Sequence, residues 1–355
     1  MNKNTILIII TLICSLTLIT MSALLGFAIV KKYKSGQMPQ QTAISENNNY
    51  EEFNSDKLLF NQKRFSLYTY EDMEKDMEVL SNHFSSFCKL DSIGETFDSR
   101  KVYRLSVGNP KSKNQYIVTG SIHAREYITT KLVMMLTYDF LYSYQNQDVF
   151  IHIIPMVNPD GVSISQLGKN GIKTDKTYKR VAEIAVLDGS SIDDSNYLRL
   201  WKSNANGVDL NRNFDALWDE YTGTPHPSSD KYKGASPGCE PEAAALIKLT
   251  KENPIKKTIS YHTMGQVIYW YFGQEGDLLQ QTEKLAKDIS SSTGYPTDAN
   301  YENLDPAGYK DWAISKLGIP SITIEVGHSG QPVDESQISD IYKQNRDVFN
   351  VLIKE

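Results

Sequence analysis

Two places in this chain put metal-binding side chains where a turn of backbone would present them. In HAREYI (123–128), His123 and Glu126 lie three residues apart, a spacing that sets two side chains on one side of a helix's first turn. Imidazole nitrogen and carboxylate oxygen both suit zinc. The pair alone decides little, because a helix start with a surface histidine and a dipole-stabilised glutamate reads the same way. His262 changes the weighing. It closes the apolar run KTISYH (257–262), and two histidines with one glutamate leave a coordination position for water, as a catalytic zinc requires. Glu325 ends another apolar run, SITI, where a carboxylate can take a proton from an attacking water and pass it to a leaving amine. The three cysteines, Cys14, Cys88 and Cys239, form no CxxC spacing, so a metal must be held by histidine and carboxylate. Cys14 falls inside an apolar stretch, which leaves Cys88 and Cys239 as the plausible disulfide pair. His83, His152, His226 and His328 read as a helix surface, a strand interior and two loops.

Positioning these residues takes a sheet. QYIVTGSI (115–122), VFIHIIPMV (149–157), KTISYH (257–262), QVIYWYF (266–272) and PSITIEV (320–326) are apolar runs of strand length. Helical patterns separate them at 125–144, 241–252 and 278–292. Strands alternating with helices predict an α/β domain with a mixed, mostly parallel sheet flanked by helices. Ligands bind such sheets beyond the carboxyl ends of the strands, where His123, His262 and Glu325 stand. Near the start of the domain, Thr69 and Asp72 offer caps for a helix through MEKDMEVLSNHF (73–84).

The bulk properties bound the rest. With 355 residues, the chain has room for one large domain and an appendage. A net charge of −6 argues against a nucleic-acid partner, which calls for a basic face. Residues 6–30 carry no charge and are long enough to cross a bilayer core of about 30 Å as a helix. A cleavable signal has a shorter apolar core, and the run continues past the weak cleavage candidate at Met21-Ser22-Ala23, so the expectation is an uncleaved single-pass anchor over 1–30. Residues 31–65 are polar and without period, a flexible tether; the catalytic domain is expected over 66–355. Lys31, Lys32 and Lys34 follow the apolar run and only Lys3 precedes it. That charge bias favours the carboxyl-terminal side as cytoplasmic.

Seven motifs then stand in one order: HAREYI, NPDG (158–161), DLNRNF (209–214), EPE (240–242), SYHTMGQ (260–266), GYKDW (308–312) and TIEVG (323–327). In this order the chain resembles the zinc metallocarboxypeptidases over about residues 66–355. It looks most like their bacterial branch that cleaves γ-D-glutamyl-diamino acid bonds in peptidoglycan stem peptides. The resemblance implies an eight-stranded sheet, one zinc per chain held by His123, Glu126 and His262, and Glu325 as general base. It implies Asp209 as the partner behind His123, and Asn211 with Arg212 as the clamp for a substrate's terminal carboxylate, which an arginine fork meets in a bidentate way. The oxyanion-stabilising arginine of the family falls on Lys202, with Arg199 and Arg125 as alternatives. The mobile tyrosine falls on Asn303, with Tyr301 two residues earlier. Lys310 matches the base of the specificity pocket, where it favours an acidic group, either a diaminopimelate end or a plain C-terminal Glu or Asp. Such a substrate places the domain outside the cytoplasmic membrane, against the charge bias. Other readings are a carboxypeptidase for C-terminal acidic residues, a zinc acylase of small N-acyl amino acids, and a catalytically inert peptide-binding surface module.

Overall fold

The computed structural model describes residues 53–302 and 304–354. The expected anchor, the tether up to residue 52 and Asn303 lie outside the described residues. Among the described residues, no helix is long and apolar enough to cross a membrane.

Eight strands form one sheet in the order β1-β2-β4-β3-β5-β8-β6-β7. They are β1 Cys88–Glu95, β2 Lys101–Gly108, β3 Gln115–Thr119, β4 Phe150–Ile154, β5 Ile255–Thr263, β6 Val267–Tyr269, β7 Thr297–Asp298 and β8 Ser321–Val326. The centre, β4, β3, β5 and β8, is parallel. The hairpin β1/β2 and the pairs β2/β4 and β6/β8 are antiparallel, and β6/β7 is parallel.

Side chains alternate between two helical layers. Tyr116 and Val118 join a core with Leu132, Ile259 and Ile324 on one face, while Ile117 joins Leu246, Leu249 and Trp312 on the other. The first layer includes the helices Tyr70–His83, Ile128–Ser143 and Gly276–Thr293; the second includes Pro241–Glu252 and Tyr309–Leu317. Parallel strands buried on both faces must be apolar throughout, and every residue of β3 is buried. Thr69 and Asp72 act together at the first of these helices. Thr69 accepts from the Asp72 amide at 3.3 Å and Asp72 from the Thr69 amide at 3.0 Å, a reciprocal cap.

Residues 53–65, assigned to the tether by composition, belong to the folded unit. Ser55–Lys57 and Leu59–Gln62 form helical turns, and Leu58 and Phe60 are buried. Lys131, fully buried, explains why they dock. Its ammonium donates to the carbonyls of Lys63, Arg64 and Ser66 and pairs with Glu335, a partner set that a buried charge needs. The expected disulfide does not form: Cys88 is buried in β1, Cys239 is exposed, and both are free thiols.

Candidate metal centre

The sheet brings the predicted residues together through register. His262 in β5 sits opposite Glu325 in β8. On the other side of β5, Thr119 of β3 faces Ser260, and four residues later the chain reaches His123 and the short turn Ala124–Glu126. That turn is tied down from outside: the Ala124 amide donates to the Lys202 carbonyl at 2.9 Å. Asn158, from NPDG, donates its side-chain amide to the carbonyls of Ile122 and Ser203 at 3.2 and 3.1 Å. Three residues on, glycine is required by approach: a Cβ on Gly161 would lie 2.4 Å from the Ser203 carbonyl oxygen, far inside contact distance.

His123, Glu126 and His262 are all buried, and one donor atom from each lies within 4.8 Å of the others. His123 Nδ1 is 2.8 Å from Glu126 Oε1, and His262 Nδ1 is 3.1 Å from both His123 Nδ1 and Glu126 Oε2. Two imidazole nitrogens and a carboxylate turned toward one point make a donor set that fits zinc. The Thr263 amide holds Glu126 Oε2 at 3.2 Å. Burial pushes the Glu126 carboxyl up, but His123 and His262 outweigh it and hold the group well below the usual range.

Asp209 serves two neighbours. Its Oδ1 lies 3.2 Å from His123 Nε2 and its Oδ2 lies 2.9 Å from the Lys202 ammonium. Burial opposes its ionisation, yet Lys202 and then His123 hold it well below the ordinary carboxylate value. Lys202 also meets Asp230 at 3.4 Å, and Asp230 reaches Arg125 at 3.7 Å. Glu325 Oε2 is buried and has no hydrogen-bond partner. Burial pushes its carboxyl up to about 8, with His262 opposing and Glu126 adding to the rise.

These groups open on a cleft of about 750 Å³ that is also lined by Arg125, Lys202, Asn211, Arg212 and Lys310. Arg199 stands apart, donating to Gln331 O and Asn196 Oδ1, both at 3.0 Å. Tyr301 is 62% exposed and packs edge-on against Tyr271, with ring centroids 4.5 Å apart; it is not among the lining residues. The Lys310 ammonium already has partners, Asp311 and the Tyr271 carbonyl. Sequence reading missed other lining residues, among them Tyr221, Tyr269 and Asp305. Tyr269 had a signal, since it lies inside the apolar run 266–272; Asp305 and Tyr221 lie in loops with none.

The family model described as zinc carboxypeptidase matches residues 73–348. The γ-D-glutamyl-L-diamino acid endopeptidase 1 of Lysinibacillus sphaericus is 30% identical over 297 residues, covering 79% of this chain and 71% of that protein. Human mast cell carboxypeptidase A is 26% identical, covering 72% and 62%. Among solved structures, carboxypeptidase A from Helicoverpa armigera superposes with a TM-score of 0.65 at 17% identity, covering 81% of this chain and 73% of that one. Thrombin-activatable fibrinolysis inhibitor gives 0.64 at 21% identity, covering 82% and 74%.

Proposed function

Because the chain belongs to the zinc carboxypeptidase family, we propose that this peptide hydrolase, with zinc as its cofactor, cleaves γ-D-glutamyl-diamino acid bonds of peptidoglycan stem peptides. One observation carries the reading: a His–Glu–His donor set, a partnerless Glu325 oxygen and the Arg212 fork meet in one cleft. His123, Glu126 and His262 hold the zinc, which when bound supplies Lewis acidity to water and to the scissile carbonyl. Asp209 fixes the His123 ring from behind. Glu325 Oε2 accepts a proton from the attacking water and returns it to the leaving amine. Lys202, steadied by Asp209 and Asp230, supplies positive charge at the developing oxyanion. Arg125 backs it through Asp230. Asn211 and Arg212 take a terminal carboxylate. Arg199 and Tyr301 have no part in this scheme, since neither lines the cleft. An inert binding module is disfavoured by the intact donor set and the available base.

Substrate choice rests on the activity for which the Lysinibacillus relative is named and on the Lys310–Asp311 pair. An unpaired lysine in a pocket would demand an acidic substrate, but here Asp311 already supplies the opposite charge. A paired plus and minus suits a side-chain end that carries both, as the far end of diaminopimelate does, better than a lone carboxylate. The second reading, a carboxypeptidase for C-terminal Glu or Asp, draws on the same Lys310. Rates on a diaminopimelate-ended stem peptide, a Glu-ended peptide and a Phe-ended peptide separate them, compared for wild type and Lys310→Ala. The expected order is diaminopimelate, Glu, Phe, with Lys310→Ala costing the first about 1–3 kcal/mol. A wild-type preference for the Phe-ended peptide removes the substrate assignment and leaves the zinc mechanism standing.

A further inference from the structure

Arg212 presents the cleft's arginine fork to the place where a substrate chain would end, yet its charge is already met from within the chain. Nη2 donates to Asp305 Oδ2 at 2.7 Å and Nη1 to the Pro306 carbonyl at 3.0 Å. Nε is buried without a partner, and the guanidinium lies over the Tyr221 ring, 4.9 Å from its centroid. The Pro306 contact belongs to a fixed frame. The next residue, Ala307, donates to Ala216 O at 2.7 Å and accepts from the Phe214 amide at 3.1 Å. Asp305 is different. Its side chain is 66% exposed against 14% for Arg212, so water can replace the arginine as its partner at small cost, as for other exposed ion pairs.

This arrangement bears on a substrate that lacks a free carboxylate beside the scissile bond. In a cleft where the arginine waits unpaired, such a substrate would cover a cation and leave it without a counter-charge, which is costly. Here the counter-charge stays in place. A free carboxylate, by contrast, must first displace Asp305 before it can use the fork.

We propose that Asp305 is a specificity-determining residue that stands in for the substrate's terminal carboxylate on Arg212, so that the enzyme also accepts peptides whose chain continues past the scissile residue. The inference rests on the site reading above, whose Lysinibacillus relative is itself named an endopeptidase, and assigns the tolerance of a continuing chain to one residue. Asp305 weakens the advantage of a free chain end and removes the penalty for a continuing one.

The test uses the full-length zinc-loaded protein as wild type, Asp305→Asn and Glu220→Gln; Glu220 lines the same cleft and controls for a general change of charge. The substrates are a stem tripeptide ending in the diamino acid and the same peptide extended by one D-alanine. Wild type is expected to cleave both, with rates within about tenfold. Asp305→Asn should lower KM for the tripeptide about two- to fivefold at constant kcat and lower kcat/KM for the extended peptide about tenfold, the scale of losing one charged partner. An unchanged ratio in Asp305→Asn overturns the proposal, and so does an equal shift in Glu220→Gln. A binding arm stands apart from turnover: titration with N-acetylglycine and its amide should show the acid binding two- to fivefold tighter to Asp305→Asn and the amide unchanged. If wild type cleaves neither stem peptide, the substrate reading fails, and the titration still decides Asp305. Equal acid binding by wild type and Asp305→Asn there overturns it.

Discussion

Glu325 and His262 are held opposite each other by the register of two adjacent parallel strands, so the base and a metal ligand share one rigid support. A proton acceptor must keep one oxygen open toward the reacting water, and Glu325 Oε2 makes no hydrogen bond among the described residues. Replacing that oxygen with an amide keeps the volume and removes the acceptor. Glu325→Gln is therefore expected to keep about one zinc per chain and lose at least about a hundredfold in turnover, the low end for a general base. Metal analysis beside steady-state rates checks both halves; a variant with full zinc and near-normal rate would mean that another group takes the proton. The metal residues were legible in sequence because ligand spacing and strand-end position are local properties. The pairing of Lys310 with Asp311 and of Arg212 with Asp305 was not: an ion pair depends on side-chain direction and loop path, which neither composition nor period encodes.

At the scale of elements, the same contrast separates strands. β3, β4, β5 and β8 announced themselves as apolar runs because both faces are covered. β1 and β2 did not, since much of β1 is half-exposed and reads as polar sequence, and only its pairing with β2 makes it a strand. The helix Pro241–Glu252 was visible, but not the state of Glu242 in its first turn. Glu242 is fully buried; its Oε1 has no partner and its Oε2 accepts from Asn204 Nδ2 at 3.2 Å. Burial, then Asp160 and Glu240, push its carboxyl up to about 8. The folded protein thus keeps a proton that the unfolded chain releases near the model-peptide value of about 4.3. Between those values the native state binds more protons, so stability falls as pH rises and levels off above about 8. Glu242→Gln has no proton to lose. Thermal melts from pH 5 to pH 8 should move in the variant's favour by on the order of 1–3 kcal/mol relative to wild type. Parallel curves for the two proteins across that range would show that Glu242 titrates normally.

At the scale of the whole folded unit, order begins earlier than the motifs suggest. Leu58 and Phe60 are buried, and the carbonyls of Lys63 and Arg64 help satisfy Lys131. A chain beginning at residue 53 should melt as the intact folded unit does. One beginning at residue 66 loses two core side chains, roughly 2 kcal/mol each, and leaves the Lys131 ammonium short of acceptors, so its melting temperature should fall by about 10 °C or more. Equal melting temperatures would show that 53–65 adds nothing. The sheet's two edges carry one more consequence. An edge strand displays unpaired amides and carbonyls on which another chain can build. Here β7 is only two residues long. At the far side, β1 carries Lys89, Asp91 and Glu95 and has an irregular register between Ser92 and Gly94. Neither edge offers a flat, uncharged template. Among the described residues, copies crowded together therefore meet without a flat sheet edge to share, and strand-by-strand aggregation finds no ready start on this sheet.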